Sequence, residues 1–224
     1  MRKKATPGTS EEGRSERKHR LIMDAAMAVF LQKGYDGASM DEIAAKAEVS
    51  KQTVYKHFAD KERLFSEIIL ASVGKVDSVM LLVSDKLGAT SDLPEDLGEL
   101  ARQLISVLMN PNLLRLRRLV IATSERMPEV GRSWYEQGFE RVLATLATCF
   151  QRLSEQHLMQ VEDPLLAANH FAGLLLWIPV NQAMFTGNDR PRSKAELDRY
   201  ADAAVQAFLA VYGCKKSTSR ASFR

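Results

Sequence analysis

The sequence contains very little cysteine and no long apolar run, and both absences exclude classes of protein. Cys149 and Cys214 are the only two cysteines in 224 residues, too few for a disulfide framework, and Cys149 lies in an apolar helical pattern typical of a small buried residue. No stretch of 18 or more uncharged apolar residues is present, so the sequence predicts no membrane span. The first twenty residues lack the apolar core of a signal peptide. We therefore expect a cytoplasmic protein with no membrane partner.

Motifs of catalysis and of metal binding are also missing from the sequence. It has no Gly-rich phosphate loop, no nucleophile elbow and no pair of carboxylates in an apolar segment. His157, Asp163 and His170 are too widely spaced for a shared metal site, and each is explained as a surface or helix-end group. We therefore predict that the protein is not an enzyme and needs no metal or cofactor.

Positive charge is concentrated at the two ends of the chain. The formal net charge is only +3, but residues 1–20 contain seven Lys or Arg against three Glu, and the last ten residues contain four basic and no acidic residues. Such segments attract phosphates without selecting a sequence. We predict a flexible basic arm over residues 1–16 and a flexible basic tail over 213–224. For the tail, a role in solubility alone is an equally good explanation.

Apolar residues recur with helical spacing through most of the chain, and no segment shows the alternation of a strand. Gly34 is placed to end the first helix. Helix starts are marked by residues whose side chains accept a hydrogen bond from a free backbone N–H. Five residues fit this role: Ser39, Ser50, Asp60, Asp163 and Ser193. The pattern predicts an all-α chain with about nine helices.

Residues 40–58 predict two short helices joined by a tight turn. The second helix, 51–58, has Val54 and Phe58 four residues apart, so both point towards the core, and its other side carries the polar residues. A helix fits the major groove of DNA, where Gln, Thr and Lys side chains can hydrogen-bond base edges. The pattern is that of a helix-turn-helix.

Residues 34–65, GYDGASMDEIAAKAEVSKQTVYKHFADKERLF, resemble the DNA-binding domain of the TetR family of bacterial transcriptional regulators. The shared features are Gly34-Tyr35, Ser39, Ile43-Ala44, Val49-Ser50, Thr53-x-Tyr55-x-His57-Phe58 and Lys61-Glu62-x-Leu64. The resemblance implies a three-helix DNA-binding domain, here residues 17–60, followed by a larger helical ligand-binding and dimerisation domain, here 61–212. It also implies a homodimer and repression that a small ligand relieves.

The resemblance further implies which residues contact DNA. The family's phosphate contacts fall on Ser39, Tyr55, His57 and Lys61. Its base-reading positions fall on Lys51, Gln52 and Thr53, with Lys56 as an additional contact. For Tyr55 the alternative role is packing against the core, and for Lys56 it is an ordinary solvated charge.

Two positions depart from the family pattern. Gln52 stands where some members have proline or glycine, so a side chain is available there to read a base. Met40 replaces the hydroxyl residue that often begins the second helix, which removes one side-chain phosphate contact.

The last two predicted helices are candidates for a dimer interface. Residues 170–185 are apolar on nearly every side, and Ala203, Ala207 and Val211 belong to a second apolar stripe in the final helix. A second copy of the chain would cover them, as the resemblance also implies. The alternative is that both helices are internal core.

Large apolar and polar residues in the second half predict a pocket for a small apolar or amphipathic effector. The candidate lining residues are Trp134, Phe139, Phe150, His170, Phe171, Trp177, Asn181 and Met184. For each of them, core packing is the alternative. Residues 118–147 also resemble the C-terminal domain of an AefR-like subgroup of TetR regulators.

Together these features predict a homodimeric repressor that binds a near-palindromic double-stranded DNA operator and is released by its effector. Three alternatives compete with this prediction: a repressor that ignores small molecules or obeys a protein partner, a nucleoid-type protein with little sequence preference, and a metabolic enzyme acting on an apolar substrate. The helix-turn-helix argues against the enzyme. An activator would have the same DNA-reading helix.

Overall fold

The structure, a computed structural model, describes residues 8–187 and 192–214, without the side chains of residues 8–12, 75, 77–79 and 81–86. The helices are α1 (Gly8–Gly37), α2 (Met40–Lys46), α3 (Lys51–His57), α4 (Lys61–Gly88), α5 (Leu93–Leu108), α6 (Pro111–Thr123), α7 (Pro128–Trp134), α8 (Arg141–Glu155), α9 (Pro164–Thr186) and α10 (Lys194–Tyr212), with a π-helical segment (Tyr135–Glu140) between α7 and α8. Because α7, the π-helical segment and α8 are continuous, the described residues contain nine helices and no strand. The predicted all-α fold is confirmed.

The predicted helix starts have the expected cap hydrogen bonds. The backbone N–H of Glu42 donates to Ser39 Oγ at 3.2 Å, and that of Thr53 donates to Ser50 Oγ at 3.1 Å. The other three predicted caps accept backbone N–H groups in the same way, at Asp60, Asp163 and Ser193. Each such cap stabilises its helix by about 1 kcal/mol. Gly34 interrupts α1 with a φ of 75°, a conformation that favours glycine.

The chain divides into two compact units that differ from the predicted domains. Unit 1 combines the chain up to Ser72 with Arg115–Trp134, and unit 2 combines Val73–Leu114 with the chain from Tyr135 onward. The boundary predicted at residues 60 and 61 lies instead inside α4. Residues 115–134 join unit 1 because their apolar side chains are buried in its core.

The core of unit 1 packs α1, α2, α3 and the first part of α4 together with α6 and α7. Phe30 and Phe65 are almost fully buried, with ring centroids 5.0 Å apart. Four buried residues come from the later segment: Leu116, Val120, Met127 and Val130. Truncating a buried aromatic such as Phe65 to alanine typically costs about 3–5 kcal/mol of stability. Since α2 and α3 also bury side chains in this core, the same packing holds them in place.

Unit 2 is a helical bundle in which α10 packs against α5 and α9, and α8 packs against α9. Its centre is an aromatic cluster of Phe150, Phe171 and Phe208, whose ring centroids lie 5.0 to 5.6 Å apart. Cys149 is buried beside this cluster, as its apolar context predicted. Within the described residues, no helix has the length and apolarity needed to cross a membrane.

The predicted terminal arms fall partly outside the described residues. Residues 1–7 and 215–224 lie outside them. Residues 8–16, predicted to be part of a flexible arm, belong instead to α1. At the other end, Gly213 forms an antiparallel bridge with Met159, so the predicted tail begins as a backbone-paired residue.

Candidate nucleic-acid interface

The helix-turn-helix is built by α2, α3 and the turn between them. The turn is a helix C-terminal motif in which the N–H of Glu48 donates to Ala45 O at 3.2 Å and the N–H of Val49 donates to Ala44 O at 3.1 Å. Glu48 has a φ of 55°, which lets the chain reverse within a few residues. Ser50 then begins α3. The turn therefore sets the direction in which α3 leaves α2.

α3 has one buried side and one exposed side. Val54 and Phe58, with 0% and 2% of their surface exposed, attach it to the core of unit 1 as predicted. Four residues of the opposite side are exposed: Lys51, Gln52, Tyr55 and Lys56. The exposed side also forms a shallow depression, lined by Ser50, Gln52, Thr53, Tyr55 and Lys56. Since α3 contains no acidic residue, this surface suits the acceptor atoms of DNA.

The side chains of Tyr55 and Thr53 differ in how available they are to contact DNA. Tyr55 is 45% exposed, so nearly half of its surface is available to contact DNA. Thr53 is half-buried, and its hydroxyl is 2.8 Å from Ser50 Oγ. Thr53 is therefore held by the cap of its own helix, whereas Tyr55 projects from it.

Lys51 forms an ion pair with Asp41 that the sequence analysis did not predict. Its Nζ lies 2.7 Å from Asp41 Oδ1 and donates a hydrogen bond to Asp41 Oδ2 at 3.0 Å. This hydrogen bond raises the pKa of Lys51. Because Asp41 lies on α2, ten residues earlier, no spacing within a single helix could reveal the pair. A DNA acceptor that binds Lys51 therefore either shares its ammonium group with Asp41 or replaces Asp41.

Lys61 holds the connection between α1 and α2. Its Nζ donates to the backbone carbonyls of Tyr35 at 2.9 Å and Ala38 at 3.0 Å, and lies 4.5 Å from the centre of the Tyr35 ring. Arg126 reaches the same place from the connection between α6 and α7, forming an ion pair of 2.7 Å with Asp36. Lys61 therefore has a structural role, and its phosphate contact stays a prediction.

Replacing Lys61 by methionine is expected to destabilise unit 1 by about 2 kcal/mol, because two carbonyl oxygens lose a charged donor. Urea unfolding of the full chain would measure the change. Lys56→Met is the matched control, since Lys56 is exposed and a surface change of this kind is normally within about 0.5 kcal/mol. If Lys61→Met leaves the unfolding midpoint unchanged but lowers the salt dependence of DNA binding, Lys61 is mainly a phosphate ligand.

His57 lies at the end of α3 among positive charges. Its ring centroid is 5.9 Å from that of His19, which in turn is 4.9 Å from the ring of Phe58. His19 Nε2 lies 2.7 Å from Glu67 Oε1 on α4. Burial lowers the pKa of His57, and the nearby His19, Lys56 and Lys18 lower it further. The cluster thus joins α1, α3 and α4 around a partly buried imidazole.

The lowered pKa of His57 predicts a loss of stability in acid. The folded protein binds this proton less readily than the unfolded chain, so His57's contribution is complete above about pH 6.5 and disappears as the pH falls through the folded pKa. Thermal unfolding of His57→Gln between pH 7.5 and 5.5 is expected to show a smaller fall in midpoint than the parent protein. Lys18→Gln, which keeps the imidazole, should show an intermediate fall. An identical fall in all three proteins would contradict this assignment.

The residues predicted to line an effector pocket are distributed over several environments. Phe150 and Phe171 are fully buried in the aromatic cluster of unit 2. His170 and Trp177 are exposed on α9, where Asn181 and Met184 are half-buried. Phe139, in the π-helical segment, is 38% exposed and stacks on Tyr135. Trp134 belongs to unit 1 and packs against its core. The effector pocket itself stays a prediction.

Comparison with known proteins agrees with this architecture. Residues 22–68 match the family model for bacterial regulatory proteins of the tetR family. Residues 95–214, more than half of the chain, match the model for the C-terminal domain of AefR-like transcriptional repressors. The second match includes the segment 118–147, whose resemblance to that subgroup was noted from the sequence.

Individual relatives match three quarters or more of the chain. A TetR-family transcriptional regulator from Mesorhizobium loti has a similar structure, with a TM-score of 0.84 and 57% sequence identity, covering 90% of this chain and 99% of that chain. The flavonoid-responsive regulator FrrA has a TM-score of 0.70 and 26% identity, covering 89% and 99%. The HTH-type transcriptional regulator AcrR of Shigella flexneri is 26% identical over 178 residues, 75% of this chain and 80% of that protein. The chain therefore belongs to the TetR family and is a DNA-binding transcriptional regulator.

Proposed function

We propose that the protein is a homodimeric repressor that binds a near-palindromic operator through two copies of α3 and is released by a small apolar or amphipathic molecule. The observation that carries the proposal is the two-sided character of α3. Val54 and Phe58 are buried, while Lys51, Gln52, Tyr55 and Lys56 are exposed on a helix without acidic residues. Dimeric helix-turn-helix proteins place two such helices in successive major grooves, one helical turn of DNA apart.

The exposed side of α9 supports the homodimer. One side of this helix, which includes Phe171 and Leu175, is buried within unit 2. The other side exposes large apolar residues, namely Leu166, Leu174, Trp177, Ile178 and Phe185. Trp177 is 72% and Phe185 is 85% exposed, and Val211 on α10 is 71% exposed. Contiguous apolar surface of this kind marks an interface in soluble proteins, and a second copy of the same helices would cover it symmetrically.

Release by an effector is supported by the path of α4. This helix is continuous, and its first part, Lys61–Ser72, belongs to unit 1 while the remainder belongs to unit 2. A small molecule bound in unit 2 can therefore act on the DNA-reading unit through the helix itself. To move the population from mostly bound to mostly released, it must favour the released state by about 5 kcal/mol.

A flavonoid is the first effector class to test, because the relative FrrA is named as flavonoid-responsive. Unit 2 has a fully buried aromatic cluster of Phe150, Phe171 and Phe208, and we propose that a planar apolar effector packs against it. Asn181 and Met184, half-buried on α9, are the proposed polar and flexible parts of the lining.

Selection of bound fragments from the host genome tests the proposed function directly. The protein should enrich a short near-palindromic sequence and bind it at least about a thousandfold more tightly than a scrambled duplex at the same salt concentration. Addition of a flavonoid such as naringenin should lower the operator affinity. Equal binding of all duplexes would identify a nucleoid-type protein, and specific binding without release would leave a repressor that this class of molecule does not control.

A further inference from the structure

The first turns of α1 carry a basic surface beside the DNA-reading helix. α1 begins at Gly8, well before residues 22–68, which match the family model for the DNA-binding domain. Arg14, Arg17 and Lys18 are all exposed on these turns. They are three and four residues apart, so they lie on one side of the helix. Neither Arg17 nor Lys18 has an acidic partner among the described side chains.

Contacts within unit 1 place this surface next to the end of α3. His19 packs against Phe58, with ring centroids 4.9 Å apart, and lies 5.9 Å from His57. Lys18 is close enough to His57 to influence it electrostatically, together with Lys56. Positive charge therefore continues from Lys56, near the end of α3, onto Lys18 of α1.

We propose that Arg14, Arg17 and Lys18 form a second DNA-binding surface, which contacts backbone phosphates flanking the bases that α3 reads. The proposal rests on the proposed function and extends it beyond the helix-turn-helix. Arg14 and Lys18 are one helical turn apart, about 6 Å along the axis, so they reach different phosphates. Phosphate contacts add affinity and fix orientation but carry no base information. The surface therefore lengthens the DNA footprint without changing the sequence that is recognised.

The test compares the full-length protein with the triple variant Arg14→Gln/Arg17→Gln/Lys18→Gln on two operator duplexes. One duplex has long flanks, and the other is trimmed to the sequence read by α3. If each residue neutralises one phosphate, a dimer loses six contacts. The slope of log K against log salt then becomes less negative by about 5.4, so the parent loses about fortyfold more affinity than the variant on going from 0.1 to 0.2 M salt.

Three comparisons make the result specific. The ratio of operator to scrambled-duplex affinity should be unchanged in the variant, and the two proteins should have similar salt slopes on the trimmed duplex. A control variant, Arg152→Gln/Lys194→Gln/Arg199→Gln, removes the same charge from exposed positions of unit 2 and should keep the parent slope on the long duplex. Equal thermal midpoints would show that all three proteins are folded.

The possible failures are distinguishable. If the parent binds its operator specifically but the triple variant keeps the parent slope on the long duplex, the flanking surface is refuted and the repressor proposal stands. If the triple variant and the control variant lose the same slope, the effect is one of net charge, and the surface is again refuted. If the parent distinguishes no sequence, both proposals are wrong.

Discussion

A chain in which Trp177 and Phe185 are both replaced by aspartate is expected to be a folded monomer with almost no operator affinity. Both side chains are largely exposed in the single chain, so their replacement leaves the core of unit 2 intact. In a symmetric dimer each change occurs twice. Burying an aromatic side chain of this kind is worth about 2 kcal/mol, so the four side chains contribute about 8 kcal/mol to association.

Sedimentation of the variant at micromolar concentration, followed by an operator titration, would measure this effect. In a monomer the two DNA-reading helices are no longer linked, so binding at one half-site no longer favours binding at the other. Ile121→Asp is the matched control, because Ile121 is also 59% exposed but lies on α6 in unit 1. A double variant that sediments as a dimer would show that α9 is not the interface.

Replacing Gln52 by alanine is expected to reduce operator affinity and to relax the choice of base at one position of each half-site. The side chain is exposed on α3 and has no structural role that its removal would disturb. A side-chain contact to a base edge contributes about 1–3 kcal/mol of discrimination, so a dimer with two half-sites loses about 2–6 kcal/mol. Because glutamine is uncharged, the salt dependence of binding should not change.

A titration against operators with each base substituted in turn would test this prediction. The control is Lys46→Ala, which removes an exposed residue from α2 rather than from the reading side of α3. That variant should keep the parent's order of preference among the substituted operators. If Gln52→Ala keeps the full discrimination of the parent, Gln52 is not a base-reading residue, and the reading falls to Lys51, Thr53 and Lys56.

The features that sequence analysis predicted well are local ones. The caps at Ser39 and Ser50 depend on a residue three positions away, and the burial of Val54 and Phe58 follows from their spacing on one helix. Such patterns extend over one or two helical turns, so they can be recognised in the sequence without knowledge of the tertiary structure. This is why the helix-turn-helix and its exposed side could be identified from so short a segment.

The features that sequence analysis missed depend on distant residues. Arg126 binds Asp36 across 90 positions of sequence, and Lys61 bonds to carbonyls 23 and 26 positions away. The Asp60 cap correctly predicted a helix start, but a helix start is not a domain boundary, since the same helix continues through both units. Which residues share a compact unit is decided by packing that no local pattern contains.

The candidate effector pocket shows a further limit of sequence analysis. α9 is apolar on nearly every side, so its periodicity does not distinguish Phe171, which is buried, from Trp177, which is exposed. Composition alone therefore placed core and surface residues in one predicted set. The sequence showed where the large aromatic residues are. Which of them are buried depends on how α8 and α10 pack against α9.

The ion pair between Lys51 and Asp41 has a consequence for how the protein finds its operator. In a cell, ordinary chromosomal DNA outnumbers any single target by a factor of about a million or more. On all of this DNA, Lys51 has a carboxylate within 2.7 Å, and an exposed ion pair of this kind is worth about 1 kcal/mol or less. We therefore expect Asp41 to weaken nonspecific binding through Lys51 by no more than about fivefold per subunit. Asp41→Asn should bind a scrambled duplex more tightly by that factor at most.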